Sequence, residues 1–386
     1  MNKRILAIFL FFISFLLNGC TRPLLQEDMY KIAVVAPLTG NDPALGESII
    51  HGAELAVKEA NEKGGINGKK IQLIKEDDGG LVGEGAFFAY RLTRTDMVLG
   101  VIGHLDSDIS IPASEFYTRA MIPQISPGST SPYFTERKVT RGYVFRTIGR
   151  DDAQGKLAAD YVIRHGFKRV AILYHDRAYG KSLTGEFAKA LTVGSNPTNR
   201  PQTVFYGTVE VGKSDYGALL SRIAFQKPDI VFFVGEYNDA GNLVKDFPKY
   251  GLEKTQFIGS DGVYHSEFVK IGGINTEGAL VISAPPIIDK EFIKRYEKEY
   301  TQEPTGYSAN TYDATNILIS AIEKCVTDMP RHVCTEEIAK VVGGTKDFHG
   351  VTGSLSFDEK GDLTSRGFVL NKVMKGKLQV VENNHE

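Results

Sequence analysis

The feature that most constrains how this chain folds is a repeated alternation of short apolar runs with segments of helical periodicity. Residues 30–36 form the first apolar run, and the next segment repeats apolar residues at helical spacing, at Ile49, Ala53, Ala56, Val57 and Ala60. Strands that alternate with helices form parallel sheets covered by helices on both faces. Because the strands outnumber those of one compact open sheet, we predict an α/β fold of two doubly wound parallel-sheet lobes.

Polar residues follow the predicted strands at the point where each strand ends. They are Thr39, Asp77, Ser107, Thr130, Asp176, Glu236 and Asp261. In open parallel sheets, ligands bind outside the carboxyl ends of the strands. Surface loops are polar in any protein, which accounts for part of this pattern. The pattern therefore predicts a binding site at this edge of the sheets but does not indicate which ligand binds there.

The clearest candidate segment follows the predicted strand over residues 98–102. A polar turn over residues 104–108 is followed by a helix, with Ser110 as a possible cap and Pro112 just inside the first turn. Helix amides and the helix dipole would favour an anionic group at this turn, where Ser107 adds a hydroxyl. Taken alone, an ordinary turn with a capping serine is the simpler interpretation of this segment.

Residues 1–20 form a targeting segment. Lys3 and Arg4 are basic, residues 5–17 are apolar except for Ser14, and the segment ends at Cys20. Residues 17–20, Leu-Asn-Gly-Cys, are similar to a bacterial lipobox, in which the cysteine is lipidated; a plain secretory signal is the alternative. No later apolar run is long enough to cross a membrane. We therefore expect a soluble body in the periplasm or at the cell surface, anchored to a membrane by lipid on Cys20.

Charge and motif content exclude several classes of function. The formal net charge of −2 offers no basic surplus for nucleic acid. The sequence has no GxSxG nucleophile elbow and no HExxH or CxxC metal motif, and no GxxxxGK[ST] or GxGxxG phosphate loop follows a predicted strand. A hydrolase stays open only in principle, because catalytic triads assemble from distant residues. We expect no enzymatic activity, no metal and no cofactor.

Two cysteines, Cys325 and Cys334, flank a short turn-like segment near the C-terminal third of the chain. In an exported protein such a pair can oxidise, and we predict a disulfide between them. Two free thiols are the alternative.

Six ordered stretches carry a resemblance to a known family. They are HGAELAVKEANEKGGINGKKIQLIKEDD (51–78), VIGHLDSDISIPASEFY (101–117), IPQISPGSTSPYFT (122–135), HDRAYGKSL (175–183), KTQFIGSDGV (254–263) and FDEKGDL (357–363). In these stretches the chain resembles the periplasmic branched-chain amino acid binding proteins, which are type I solute-binding proteins of ABC transporters. The resemblance implies two lobes joined by a hinge of three crossovers, with the ligand in the cleft. Lobe one would cover residues 30–147 plus 285–360, and lobe two residues 148–284 plus 361–386.

The resemblance also implies which first-lobe residues contact the ligand. Ser107 matches a serine that holds the ligand α-carboxylate. Gly128 matches a residue whose backbone contacts the ligand. Thr130 matches a threonine that binds both the carboxylate and the amine.

From the second lobe, the resemblance implies three further ligand contacts. Tyr179 matches an aromatic wall, and Asp261 matches an acidic residue that pairs with the α-ammonium. Glu236 or Tyr237 fills the place of a family tyrosine, and the alignment with the family puts Glu236 there.

The chain departs from the family pattern at the predicted site. Asp106 and Asp108 flank Ser107, where small uncharged residues are commoner, and Leu45 replaces a common aromatic residue. Glu236 adds a further negative charge. Like charges would repel a ligand carboxylate unless they turn away. These departures shift the expected ligand from leucine or valine toward one with a polar or cationic part.

The function implied by the resemblance is capture of an amino acid or a similar small molecule and its delivery to an ABC permease. We expect a monomer that does no chemistry on its ligand. The alternative is a sensor module of the same fold, which would report ligand occupancy to a membrane partner.

Overall fold

This computed structural model describes residues 29–94, 98–195, 200–326, 331–365 and 367–383. The side chains of residues 331–334, 382 and 383 are also outside the description. The predicted targeting segment with Cys20 therefore lies outside the described part, as does the side chain of Cys334, one partner of the predicted disulfide. Lipidation and the disulfide stay predictions.

The described residues contain fourteen strands and twelve α-helices. The strands are β1 (Met29–Ala36), β2 (Lys70–Asp77), β3 (Val98–Gly103), β4 (Gln124–Ser126), β5 (Val144–Arg146), β6 (Arg169–His175), β7 (Gln202–Val209), β8 (Ile230–Val234), β9 (Gln256–Gly259), β10 (Leu280–Ser283), β11 (Phe348–Gly350), β12 (Gly353–Leu355), β13 (Val369–Met374) and β14 (Lys377–Asn383). The helices are α1 (Pro43–Glu62), α2 (Val82–Thr93), α3 (Ser107–Arg119), α4 (Tyr133–Glu136), α5 (Asp151–Arg164), α6 (Ala178–Gly194), α7 (Gly217–Phe225), α8 (Tyr237–Asp246), α9 (Ser266–Gly272), α10 (Lys290–Tyr300), α11 (Gly306–Cys325) and α12 (Arg331–Gly343).

Two sheets organise the chain. The first has the order β2-β1-β3-β4-β5, and all its pairings are parallel. The second has the order β14-β13-β10-β9-β8-β6-β7, with β6 to β10 parallel and the C-terminal hairpin β13–β14 added antiparallel at one edge. A separate small hairpin joins β11 and β12. The predicted α/β fold of two parallel-sheet lobes is confirmed.

The chain passes between the two sheets three times, as the predicted hinge requires. It leaves the first sheet after β5, returns after β10 to helices that pack beside β3 and α1, and leaves again before β13. The exact lobe bounds given above stay a prediction, and the membership of the strands is compatible with them.

The central strands are buried on both faces, as expected for parallel sheets between helices. Every residue of β3 and of β8 is buried. In the second lobe, the rings of Phe187 on α6 and Phe232 on β8 lie 4.4 Å apart between centroids. Full burial of such a side chain contributes about 1.5–3 kcal/mol, so these strands anchor the elements whose ends carry the site.

Helix α11 packs against strands β3 and β4 of the first sheet. It begins with a capping box in which Thr305 Oγ1 accepts from the Ser308 amide at 3.2 Å and Ser308 Oγ accepts from the Thr305 amide at 2.8 Å. Gly100, the single interruption in the apolar run of β3, lies against this helix. A Cβ there would come within 2.5 Å of Leu318, so the glycine allows a close approach of helix to strand.

Some elements differ from the sequence expectation. Helix α3 begins at Ser107, three residues before the predicted cap Ser110, and its N-cap position is Asp106. Ser107 and Asp108 are as suitable for a helix start as Ser110, which is why the pattern misplaced it. The sequence analysis predicted neither helices α4, α5, α8 and α9 nor strand β5. Helix α8 is polar, and its only signal was the helical spacing of buried Ala240, Leu243 and Val244.

Among the described residues, none of the helices combines the length and apolar character that crossing a bilayer would need.

Candidate ligand-binding site

A cavity between the two sheets gathers residues that follow strands of both. Its lining consists of Leu45, Leu105, Asp106, Ser107, Gly128, Tyr179, Glu236, Asp261, Gly262 and Tyr307. The free volume inside it is about 20 Å³, which is roughly the space of one water molecule, so the lobes lie close together around these residues. Five of the six predicted site residues line it: Ser107, Gly128, Tyr179, Glu236 and Asp261.

The first-lobe wall is built where β3 gives way to α3. Ser107 is the first residue of the helix and is buried, so its hydroxyl lies among the free amides of the helix N-terminus. Ser107 Oγ also accepts from the Ser131 amide at 3.3 Å, which ties the helix start to the loop after β4. This corner combines a hydroxyl, backbone donors and the positive end of a helix dipole, which together favour an anionic group.

Gly128 brings the loop after β4 close to the loop after β3. A Cβ on Gly128 would meet a Leu105 side-chain carbon at 2.5 Å and the Leu105 carbonyl oxygen at 3.0 Å. Only glycine fits here without displacing the wall of the cavity, so the position is constrained by packing as well as by its place at the site.

Thr130, the sixth predicted site residue, is not in the lining. It is buried beside Asp151, whose amide donates to the Thr130 carbonyl at 3.0 Å. Burial raises the pKa of Asp151 to about 7, and the nearby hydroxyls of Ser182 and Thr130 oppose that rise. Thr130 thus lies behind the first-lobe wall in this structure.

The other polar strand ends have structural partners outside the cavity. Thr39 Oγ1 donates to Asp77 Oδ2 at 2.7 Å, and the Leu38 amide donates to Asp77 Oδ1 at 2.8 Å. Asp176 is exposed and pairs with Lys181 at 2.8 Å. The strand-end pattern therefore included residues that hold loops together as well as residues of the cavity.

Asp261, directly after β9, is the most heavily hydrogen-bonded carboxylate of the cavity. Its Oδ1 accepts from Tyr179 OH at 2.5 Å and from Gln154 Nε2 at 2.9 Å, and its Oδ2 accepts from Tyr307 OH at 3.2 Å. Burial raises the pKa of Asp261, and the three donors oppose that rise. Since a carboxylate has about four acceptor positions, one remains for a ligand donor.

Tyr307 and Gln154 were missed by the sequence reasoning. Tyr307 lies in the first turn of α11, and Gln154 lies in the first turn of α5, so neither follows a strand. Their contact with Asp261 depends on how these helices pack, and no spacing in the sequence indicated it.

The side chain of Asp108 does not line the cavity and instead forms a contact between the two lobes. Its carboxylate accepts from the backbone amides of Ala178 and Tyr179, at the N-terminus of α6. A carboxylate at a helix N-terminus is stabilised by the helix dipole. A second contact crosses the cleft where Asn238 Nδ2 donates to the Asn41 carbonyl oxygen.

Behind the cavity, His175 lies between two carboxylates. Its Nδ1 is 2.5 Å from Glu236 Oε2, and its Nε2 is 3.0 Å from Asp239 Oδ2. Burial would lower the pKa of His175, but Glu236 and Asp239 together raise it to about 10. The ligand atoms of the three residues are close enough to hold a metal ion. Because each ring nitrogen faces its own carboxylate, the arrangement is that of an imidazolium held in place by two anions.

The fold and the cavity define a class of protein, the two-lobed binding proteins that hold a small solute between their lobes. The model of the periplasmic binding protein family matches residues 29–377. The chain therefore belongs to the periplasmic binding protein family, and the resemblance seen in the sequence is confirmed.

Relatives and solved structures narrow the class further. The chain is 35% identical to Leu/Ile/Val-binding protein homolog 1 of Brucella abortus over 351 residues, covering 89% of this chain and 90% of that protein. It is 32% identical to the Leu/Ile/Val-binding protein BraC3 of Rhizobium johnstonii, covering 93% and 95%.

Among solved structures, the leucine-binding protein LivK of Thermotoga maritima has a TM-score of 0.81 at 27% identity, covering 91% of this chain and 97% of that one. LivJ of Streptococcus pneumoniae, solved with isoleucine, has the same TM-score and identity, covering 92% and 100%. The chain is therefore similar over nearly its whole described length to the branched-chain amino acid binding proteins.

Proposed function

We propose that this protein is an extracytoplasmic solute-binding lipoprotein that captures an amino acid or amino-acid-like molecule between its lobes and delivers it to an ABC permease. The observation that carries the proposal is the pairing of two opposite environments in one cavity. Ser107 and the amides at the N-terminus of α3 offer hydrogen-bond donors, and Asp261 offers a buried carboxylate. These are complementary to the two charges of a zwitterion.

In this assignment each end of the ligand has its own partner. The ligand carboxylate accepts from Ser107 and from the amides at the start of α3. The ligand ammonium donates to the free acceptor position of Asp261, whose other positions are held by Tyr179, Gln154 and Tyr307. Tyr179 and Asp261 belong to the second lobe and Ser107 to the first. A ligand that contacts all three residues would therefore hold the two lobes closed around it.

Anchoring and partner choice complete the proposal. Cys20 carries the lipid, and the folded body acts outside the cytoplasm as a monomer. The names of the relatives, which describe Leu/Ile/Val-binding proteins, support an amino acid as the ligand. The LivJ structure, whose title describes a branched-chain amino acid transporter substrate-binding protein, supports a transporter as the partner.

The test is calorimetric titration of the purified protein with a panel of L-amino acids, followed by the Asp261→Asn variant. Asparagine keeps the shape of the side chain and removes its charge. We expect Asp261→Asn to weaken binding by about 2 kcal/mol or more, or roughly 30-fold, since it leaves the ligand ammonium without its buried partner.

The matched control is Asp160→Asn, which removes a carboxylate that pairs with Lys156 on α5 and is not part of the cavity lining. It should leave the affinity unchanged. Equal affinities for wild type and Asp261→Asn, or no binding by any amino acid in the panel, would contradict the proposal.

A further inference from the structure

We propose that the side chain of the ligand ends in a positively charged group, an ammonium or guanidinium, so that the protein is selective for basic amino acids or their analogues. This inference rests on the proposed function above. It differs from the names of the relatives, which refer to aliphatic amino acids.

The first support is the charge of the cavity wall. Its ten lining residues include three carboxylates, those of Asp106, Glu236 and Asp261, and none of the ten is a lysine, an arginine or a histidine. One carboxylate, Asp261, is the partner of the ligand ammonium in the proposed function. The other two are not accounted for by a zwitterion, because its own carboxylate and ammonium balance each other.

The second support is that the carboxylates around these two positions outnumber the cations beside them. Asp106 is 3.8 Å from Arg177, near the limit for an ion pair. The imidazolium of His175 is shared between Glu236 and Asp239. Two cations thus face more carboxylates than they can neutralise, and a positive ligand group would supply what is missing.

A further carboxylate, that of Asp42, adds to the excess of negative charge around the cavity. Asp42 is buried at the N-cap position of α1. Burial raises the pKa of Asp42 and of Asp106 well above the usual range, and repulsion by Glu236 raises both further. Arg177 and His175 oppose that repulsion only in part. A cation placed among these groups would favour their charged forms and would be attracted by them.

An aliphatic side chain would have the opposite effect. It would cover Asp106 and Glu236 and remove water from them without supplying a charge or a donor, which disfavours binding. Leu45 and Leu105 line the same cavity and can contact the methylene groups of a long basic side chain. The cavity therefore has apolar walls for a stem and carboxylates for its charged end.

The experiment is calorimetric titration of the purified protein with two matched pairs, L-lysine against L-norleucine and L-arginine against L-citrulline, with L-leucine as a fifth ligand. Each pair has a similar shape and differs by one positive charge. We expect at least one basic member to bind at least about 10-fold more tightly than its neutral partner.

Two variants test whether the carboxylates of Asp106 and Glu236 cause the preference for a basic ligand. Asp106→Asn and Glu236→Gln should each reduce the preference for the basic member by about 10-fold, because the basic member binds more weakly while the neutral member binds as well as before or better. Glu210→Gln is the control, since Glu210 is 73% exposed, pairs with Lys213 and does not line the cavity. If a variant fails to fold, the five ligands measured on the unchanged protein still decide the matter.

The outcomes separate this inference from the proposed function. Tight binding of L-leucine or L-norleucine, with the basic members equal or weaker, would overturn the inference and leave the proposed function standing. Failure of all five ligands and of every other amino acid would overturn both. A preference for basic ligands that survives in Asp106→Asn and in Glu236→Gln would also overturn the assignment to these carboxylates.

Discussion

At the scale of single residues, this protein places several ionisable side chains where water does not reach them, and each depends on its immediate partners. Asp261 has three donors, and His175 has two carboxylates. Asp151, at the start of α5, is fully buried and has no comparable set of partners. Its carboxyl is therefore the clearest case in which burial outweighs the neighbouring groups in setting the pKa.

The stability of the protein should depend on pH through Asp151. Its folded-state pKa of about 7 lies above the value near 3.9 in an unfolded chain. The contribution of Asp151 to stability is then complete below about pH 4 and is lost as pH rises through about 7. Since one pKa unit corresponds to about 1.4 kcal/mol, the loss by pH 8 is on the order of 2–4 kcal/mol.

Asp151→Asn removes this titration. We expect the variant to be more stable than wild type at pH 8 and similar to it near pH 4. Urea unfolding at four pH values between 4 and 8 measures the difference, with Asp160→Asn as the control that should follow the wild-type profile. Parallel profiles for wild type and Asp151→Asn would show that the buried carboxyl does not titrate in this range.

At the scale of elements, the loop over residues 128–131 is positioned by the hinge. Arg146, the last residue of β5, donates to the carbonyl oxygens of Ser129 at 2.6 Å and Ser131 at 2.9 Å. Its Nε donates to Asp362 Oδ1 at 2.6 Å, and Arg150 Nη1 donates to Asp362 Oδ2 at 2.6 Å. Asp362 lies in the third crossover and Arg150 in the first, so this buried cluster connects two crossovers to the wall of the cavity.

Asp362→Asn should destabilise the protein by about 3 kcal/mol, because it leaves the buried guanidinium of Arg146 without its counter-charge. The matched variant Asp160→Asn breaks an ion pair with Lys156 that is more exposed, and it should cost about 1 kcal/mol or less. Denaturant unfolding at pH 7 gives both values. A loss of unfolding free energy in Asp362→Asn as small as that in Asp160→Asn would contradict a stabilising role for the buried pair of Arg146 and Asp362.

At the scale of the whole molecule, two sheets face each other across a small cavity and touch at its rim. Asp108 of the first lobe caps α6 of the second, and Asn41 accepts from Asn238. These contacts lie beside the cavity, so closing the lobes and enclosing a ligand are one event in the proposed function.

Much of this arrangement could be predicted from the sequence because strands and helices alternate with clear periodicity. The rule that ligands bind at the carboxyl ends of parallel strands predicts that Ser107, Glu236 and Asp261 lie near one another. It also included Asp77 and Asp176, since a loop that ties to its neighbour and a loop that binds a ligand use the same residue types.

What the sequence did not predict depends on tertiary packing. Tyr307 and Gln154 reach Asp261 from helices, and their direction is fixed by how α11 and α5 lie on the sheets. His175 contacts both Glu236 and Asp239 only because three segments of the chain come together in space. Helix periodicity indicates which face of a helix is buried, but it does not indicate which buried polar side chains will meet.

The most direct test of the account is a crystal structure of the protein grown with the L-amino acid that binds most tightly in the calorimetric panel. The account predicts ligand density in the cavity, with the carboxylate within about 3 Å of Ser107 Oγ and the ammonium within about 3 Å of an Asp261 carboxylate oxygen. Density for the ligand elsewhere, or in the cavity with its ammonium far from Asp261, would contradict it.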